Sequence, residues 1–311
     1  MNFIDLLTSR KYRELLQISK SDIHSHAGRG GNIAFIAEKT GTHILPPPKK
    51  YDSLFHMQKW FDENIKPICG GREGQLLRWE ACFAEAKRNH ISRLALSFSR
   101  LDVAAVGGMQ NFVEILERFH QEYCPGTRFE PELTYGRNCN IDLELEYIDE
   151  LLQTAYFRSI DICNGEFQQS IHNFVPLYRK AEEYNLVKKA HVGEFGSAED
   201  IVEAVQTLGL QEVHHGIAAA NSKEVMRFLE REKVQLNICP SSNVMLKVAK
   251  NYAEHPIQTL VRSGVLVTIN TDDLLIFNNS IEQEYINLYE AGTLTAQELE
   301  KVRLQGLSQN C

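Results

Sequence analysis

Two histidines one residue apart, His24 and His26, set the first chemical question. In an extended segment side chains i and i+2 face the same way, so His24-Ser25-His26 can aim two imidazoles at one ion. In a chain with 11 histidines a lone H-x-H pair can equally be coincidence. A third histidine (His191 or His215) and an aspartate (Asp272 or Asp273) at the ends of other short apolar runs shift that balance. Three imidazoles and one carboxylate with an open position suit one Zn2+ per chain holding a catalytic water. Rival zinc patterns are missing: the sequence has no H-E-x-x-H and no C-x-x-C pair. His120-Gln121-Glu122 resembles half of another zinc signature, but its P-C-x-x-C partner does not occur, and it reads as solvated helix surface.

Such residues need a scaffold that gathers strand ends. Strand candidates are Asp22–His24, Arg93–Phe98, Phe129–Tyr135, Ile160–Cys163, Val187–His191, Val213–His215, Leu236–Cys239 and Leu266–Asn270. Between them lie helical stretches at Arg72–Asn89, Asn111–Tyr123, Asp142–Tyr156, Ala198–Leu208 and Ser222–Glu232, with a further one at Ala296–Leu307. Ser197 with Glu199 and Asp200 is a good helix start, and Gly209 a good stop. Alternating β and α implies a parallel sheet, and eight repeats close an α/β (β/α)8 TIM barrel. An open doubly wound sheet would call for a phosphate loop, and neither G-x-G-x-x-G nor G-x-x-x-x-G-K-[ST] is present. The barrel is expected as one catalytic domain over residues 1–311, with an N-terminal helix and a helical insertion near 45–72. The Pro46-Pro47-Pro48 run reads as a surface loop in that insertion. Barrel active sites form at C-terminal strand ends, where His24, His26, His191, His215, Asp272 and Asp273 all fall.

Composition excludes other classes. A net charge of −8 argues against nucleic-acid binding, which needs a basic face. The charged N-terminal stretch cannot be the apolar region of a signal peptide, and no apolar run reaches the ~18 residues of a membrane span. The seven cysteines are widely spaced and read as reduced thiols of a cytoplasmic protein.

Five ordered motifs carry a family resemblance: His24-Ser25-His26, His191-Val192-Gly193-Glu194, His215-Gly216, Cys239-Pro240-Ser241-Ser242-Asn243 and Asn270-Thr271-Asp272-Asp273. Together they look like the adenosine deaminase family of metal-dependent amidohydrolases. The resemblance implies a hydrolase that replaces the 6-amino group of a purine, with a small-molecule purine as partner. It implies that His24, His26, His191 and Asp272 are the metal ligands and that Glu194 protonates a purine ring nitrogen. His215 would then lie beside the attacking water, and Asp273 would meet N7. Glu194, His215 and Asp272 thus form the catalytic set; His26, Arg29, Asn164, Gly165 and Asp273 are the substrate contacts. Protonation at N1 makes C6 electrophilic, so the roles are chemically coherent.

Each residue also has a plainer role open to it. Glu194 can be a helix-start acid, Asp272-Asp273 a turn, and Cys239 to Asn243 a loop former rather than a source of a nucleophile. His214 and His215 should face opposite ways, so a one-residue slip would exchange them. The sequence departs from the family at Ala27-Gly28-Arg29-Gly30-Gly31, where relatives carry an acidic or small polar residue at the position of Gly28. It departs again at Asn164-Gly165-Glu166, where the glycine is displaced by one, and at Leu274, where the family usually has proline. Arg29 either meets an anionic group or points to solvent. Substrate alternatives are therefore a 5′-modified or N6-substituted adenine nucleoside or nucleotide, or adenine itself. A non-catalytic purine-binding relative is a further alternative.

Overall fold

A computed structural model describes residues 2–308. Its strands are β1 (Lys20–Asp22), β2 (Ile91–Phe98), β3 (Arg128–Gly136), β4 (Ser159–Cys163), β5 (Val187–Val192), β6 (Glu212–His215), β7 (Gln235–Ile238) and β8 (Leu266–Ile269). The eight pair in sequence order and in parallel. With helices around them they form the (β/α)8 barrel. Helix Ala198–Leu208 begins on a Ser197 capping box with Asp200 and ends at left-handed Gly209 (φ 66°), as its side-chain chemistry requires. Helix Ala296–Leu307 also has the expected limits.

Two elements differ from the expected bounds. The helix expected over Asp142–Tyr156 stops at Leu152, because the chain turns through left-handed Ala155 (φ 52°) to enter β4. β1 ends at Asp22, so His24 and His26 lie just past the strand rather than on it. The segment nevertheless stays extended, because it is bonded on both sides. Asp272 N–H donates to the His24 carbonyl at 2.9 Å and His26 N–H to the Asp272 carbonyl at 3.2 Å. On the other side Ser97 N–H donates to the Ser25 carbonyl at 2.9 Å. The two Asp272 bonds, with Ile23 N–H to Asn270 Oδ1 at 2.8 Å, close the barrel between β1 and β8.

The main apolar core lies between strands and helices, with Trp79, Phe83, Phe98, Phe112 and Phe174 buried there. The barrel interior is polar instead. Lys189 Nζ lies 2.9 Å from Glu132 and 3.5 Å from Glu212, all nearly inaccessible. Buried charges persist only when paired. A second apolar cluster unites Met57, Phe61 and Ile65 of the insertion with Leu275, Ile276 and Phe277 after β8. It places helix Leu54–Asn64 over one side of the barrel mouth. The stretch 42–52, with the three prolines, is irregular chain. Six cysteines are free thiols; Cys311 lies outside the described residues. Among the described residues no helix is long and apolar enough to cross a membrane.

Candidate active site

One ligand atom each from His24, His26, His191 and Asp272 can be chosen so that all four lie within 4.8 Å of one another. His24 Nε2 is 3.0 Å from His191 Nε2, and Asp272 Oδ1 lies 3.4 Å from His26 Nε2 and 3.9 Å from His24 Nε2. Four ligands about 2.0–2.2 Å from one zinc ion would be separated by similar edges. Protonation fits as well. Burial pushes His24 well below the usual imidazole value and His191 down to about 3, which leaves their lone pairs free. Burial and then Asp273 push Asp272 up to about 8. The donor set therefore fits a divalent ion.

Each ligand imidazole is held by its other nitrogen. His24 Nδ1 donates to the Asn237 carbonyl at 3.0 Å, His191 Nδ1 meets Asp161 Oδ1 at 3.0 Å, and His26 Nδ1 meets Ser97 Oγ at 2.7 Å. Such partners fix ring orientation and leave Nε2 free, as an imidazole that holds a metal would need. Asp161, Ser97 and Asn237 were not legible as site residues. Asp161 alone left a trace, as an acid inside the otherwise apolar strand candidate Ile160–Cys163.

The alternation expected for His214 and His215 does not hold. Both rings pack on His24, with centroids 3.9 and 4.7 Å away. The cause is the backbone: His215 is left-handed (φ 62°), so the strand kinks where alternation would have carried its side chain outward. Asp272 has the same conformation (φ 60°), costly for a non-glycine residue and typical of functional sites. His214 turns to Glu132 (3.2 Å), whereas His215 Nε2 faces Glu194 Oε2 at 3.7 Å and Asp272 Oδ2 at 3.9 Å. Asn243 Nδ2 lies 3.4 Å from His215 Nδ1 and orients the ring. Cys239 caps a short helix, Pro240–Met245, with a thiol that burial raises well above the usual value. It shapes the loop, as expected.

The site opens into a cavity of about 200 Å3 that His26, Arg29, His191, Glu194, Asp272 and Asp273 all line. Asn164, Gly165 and His215 border it too. Glu194 is 11% exposed at its side chain, and its Oε1 has no partner. Burial, then Asp272, pushes its carboxyl well above the ordinary range. Asp273 Oδ1 is likewise buried and unpartnered. Arg29 does not reach for solvent. It donates to Asp273 Oδ2 at 3.2 Å and to Gln58, and its guanidinium lies 5.5 Å from the Phe61 ring. Asn164 and Gly165 are both left-handed (φ 59° and 56°), so the turn after β4 forms although the glycine is displaced by one.

The chain and its fold are similar to known deaminases. A putative adenosine/adenine deaminase from Treponema pallidum is 28% identical over 89% of this chain and 93% of its own length. The fold matches the crystal structure of an adenine deaminase from Arthrobacter aurescens (TM-score 0.78, 20% identity, 94% of each chain). It also matches an apo N6-methyl-AMP deaminase from Arabidopsis thaliana (TM-score 0.78, 15% identity, 96% of this chain and 95% of that one). The sequence profile of the adenosine deaminase family covers residues 142–310. With β4 to β8 and the residues that follow them inside that match, the chain belongs to the adenosine deaminase family and is a hydrolytic deaminase acting on C–N bonds.

Proposed function

We propose that this protein is a zinc-dependent deaminase of a 6-aminopurine compound, with His24, His26, His191 and Asp272 as ligands. The observation that carries the reading is the Glu194 carboxyl, with its Oε1 buried and unpartnered, in the same cavity wall as His26, His191 and Asp272. When bound, the metal supplies Lewis-acid activation of water at neutral pH. Glu194, held protonated by burial, donates to N1 and makes C6 electrophilic. His215 accepts the proton of the water that adds at C6. The C6–N bond then breaks as His215 passes its proton to the amino group, which leaves as ammonia; the remaining hydroxyl proton returns to Glu194, and C6 becomes a carbonyl. Asp273 faces the imidazole side of the ring, and the turn at Asn164 and Gly165 borders the purine.

Two features bear on the rest of the substrate. A Cβ built on Gly28 would have nothing within 4 Å, so the wall beside His26 has room where family members carry a side chain. That space suits a 5′-modified nucleoside or nucleotide, while adenine would need none of it. Arg29 is committed to Asp273 and Gln58, so it acts through Asp273 on the purine itself. Arg29→Ala should therefore raise KM about tenfold for every 6-aminopurine accepted, charged or neutral, with a smaller effect on kcat. A KM rise confined to anionic substrates would return Arg29 to direct recognition of a phosphate or carboxylate. The reading as a whole is tested by ammonia release from adenine, adenosine, and 5′- and N6-modified adenosines and their nucleotides. No ammonia from any of them would exclude the 6-aminopurine reaction.

A further inference from the structure

The loop that carries Glu194 is gripped by a carboxylate to which the purine chemistry gives no role. Gly193-Glu194-Phe195-Gly196 leaves β5 through left-handed Gly193 (φ 70°), a conformation that turns neighbouring amides toward one side. Three of them converge on Glu166, in the loop after β4. Gly193 N–H donates to Oε1 at 2.5 Å; Phe195 and Gly196 N–H donate to Oε2 at 2.8 and 3.1 Å. The fit is tight, since a Cβ on Gly196 would lie 2.5 Å from Glu166 Oε1. A second cross-link joins the same segments: Arg137, just past β3, donates to the Glu166 carbonyl and, at 3.3 Å, to the His191 carbonyl. The Glu194 side chain has no comparable support. Oε1 lacks a partner and Oε2 has only His215 at 3.7 Å. Its direction is therefore set by its own backbone.

We propose that Glu166 is the positioning residue for Glu194: its carboxylate fixes the 193–196 backbone so that the acid points at the purine ring nitrogen. The inference rests on Glu194 being the proton donor. Glu166→Gln keeps the size of the side chain, but its amide nitrogen cannot accept a hydrogen bond, so at least one of the three amides loses its partner. A misplacement below an ångström at a catalytic group can cost one to two orders of magnitude, so kcat should fall about ten- to a hundredfold, with KM within about threefold of wild type. Metal content per chain should not change. Hydrogen exchange at Gly193, Phe195 and Gly196 should become faster, with or without metal.

A double-mutant cycle separates positioning from general damage. In a Glu194→Gln background, Glu166→Gln should cost almost nothing further in kcat, because a positioning residue acts only through the acid. Losses that multiply, or an unchanged kcat in Glu166→Gln alone, would overturn the proposal. A fully active Glu194→Gln enzyme would instead remove the reading on which it rests. If Glu166→Gln does not fold, Gly196→Ala presses on the same carboxylate from the other side. It should show the same kcat loss and the same non-additivity.

Discussion

Glu194→Gln should lower kcat by on the order of a hundredfold or more while leaving the metal content intact, as expected for loss of a general acid. The substitution keeps shape and removes only the transferable proton. Glu194 is not among the four donors that gather on one ion, so no ligand is lost. Burial and then Asp272 hold its pKa well above the ordinary carboxyl range, and the reaction needs the protonated form. Activity should therefore persist up to that raised pKa and fall as pH passes above it. In Glu194→Gln the basic limb should disappear from the residual rate. A variant that kept most of its activity and the same pH profile would leave Glu194 with no part in the reaction.

Loss of a ligand should be as severe and should act differently. Asp272→Asn and His191→Ala are expected to lower bound zinc from about one ion per chain and to abolish turnover with it. Asp272→Asn is the more informative, because the backbone bonds of residue 272 to His24 and His26 do not involve its carboxylate. The barrel should close while the ion is lost. Thermal unfolding gives a second reading: a chelator should lower the Tm of the wild-type protein and leave that of Asp272→Asn almost unmoved. Full activity in a metal-free preparation would rule out the metal mechanism.

Those residues could be named from sequence because their signals are local. An H-x-H pair in extended chain, a histidine ending an apolar run and paired aspartates after another each show over a few residues. The strands were legible for the same reason: β-branched runs punctuate helical periodicity, and all eight fell within two residues of their observed limits at both ends. What remained hidden depends on contacts across the barrel. Asp161 becomes meaningful only when β4 lies beside β5 and its carboxylate meets His191. Glu166 becomes so only when its loop meets Gly193 to Gly196. His215 and His214 could not be ordered by alternation, because the left-handed turn at His215 breaks the period that such reasoning uses. Arg29 lines the cavity, but its pairing with Asp273 spans 244 positions, a contact that no local pattern contains.

The closure of the barrel at the metal ligands has a consequence for the order of assembly. His24 and His26 leave the ribosome early, while Asp272 must be synthesised and β8 docked before the backbone bonds between them can form. A half-made chain offers two adjacent imidazoles, and two ligands hold zinc far more weakly than four. On the proposed ligand set, full capture of the ion would be deferred until the last strand meets the first. Slow β8 docking should appear as a population of soluble, metal-poor protein with intact helices, and retained zinc becomes a record that the ring of strands was completed.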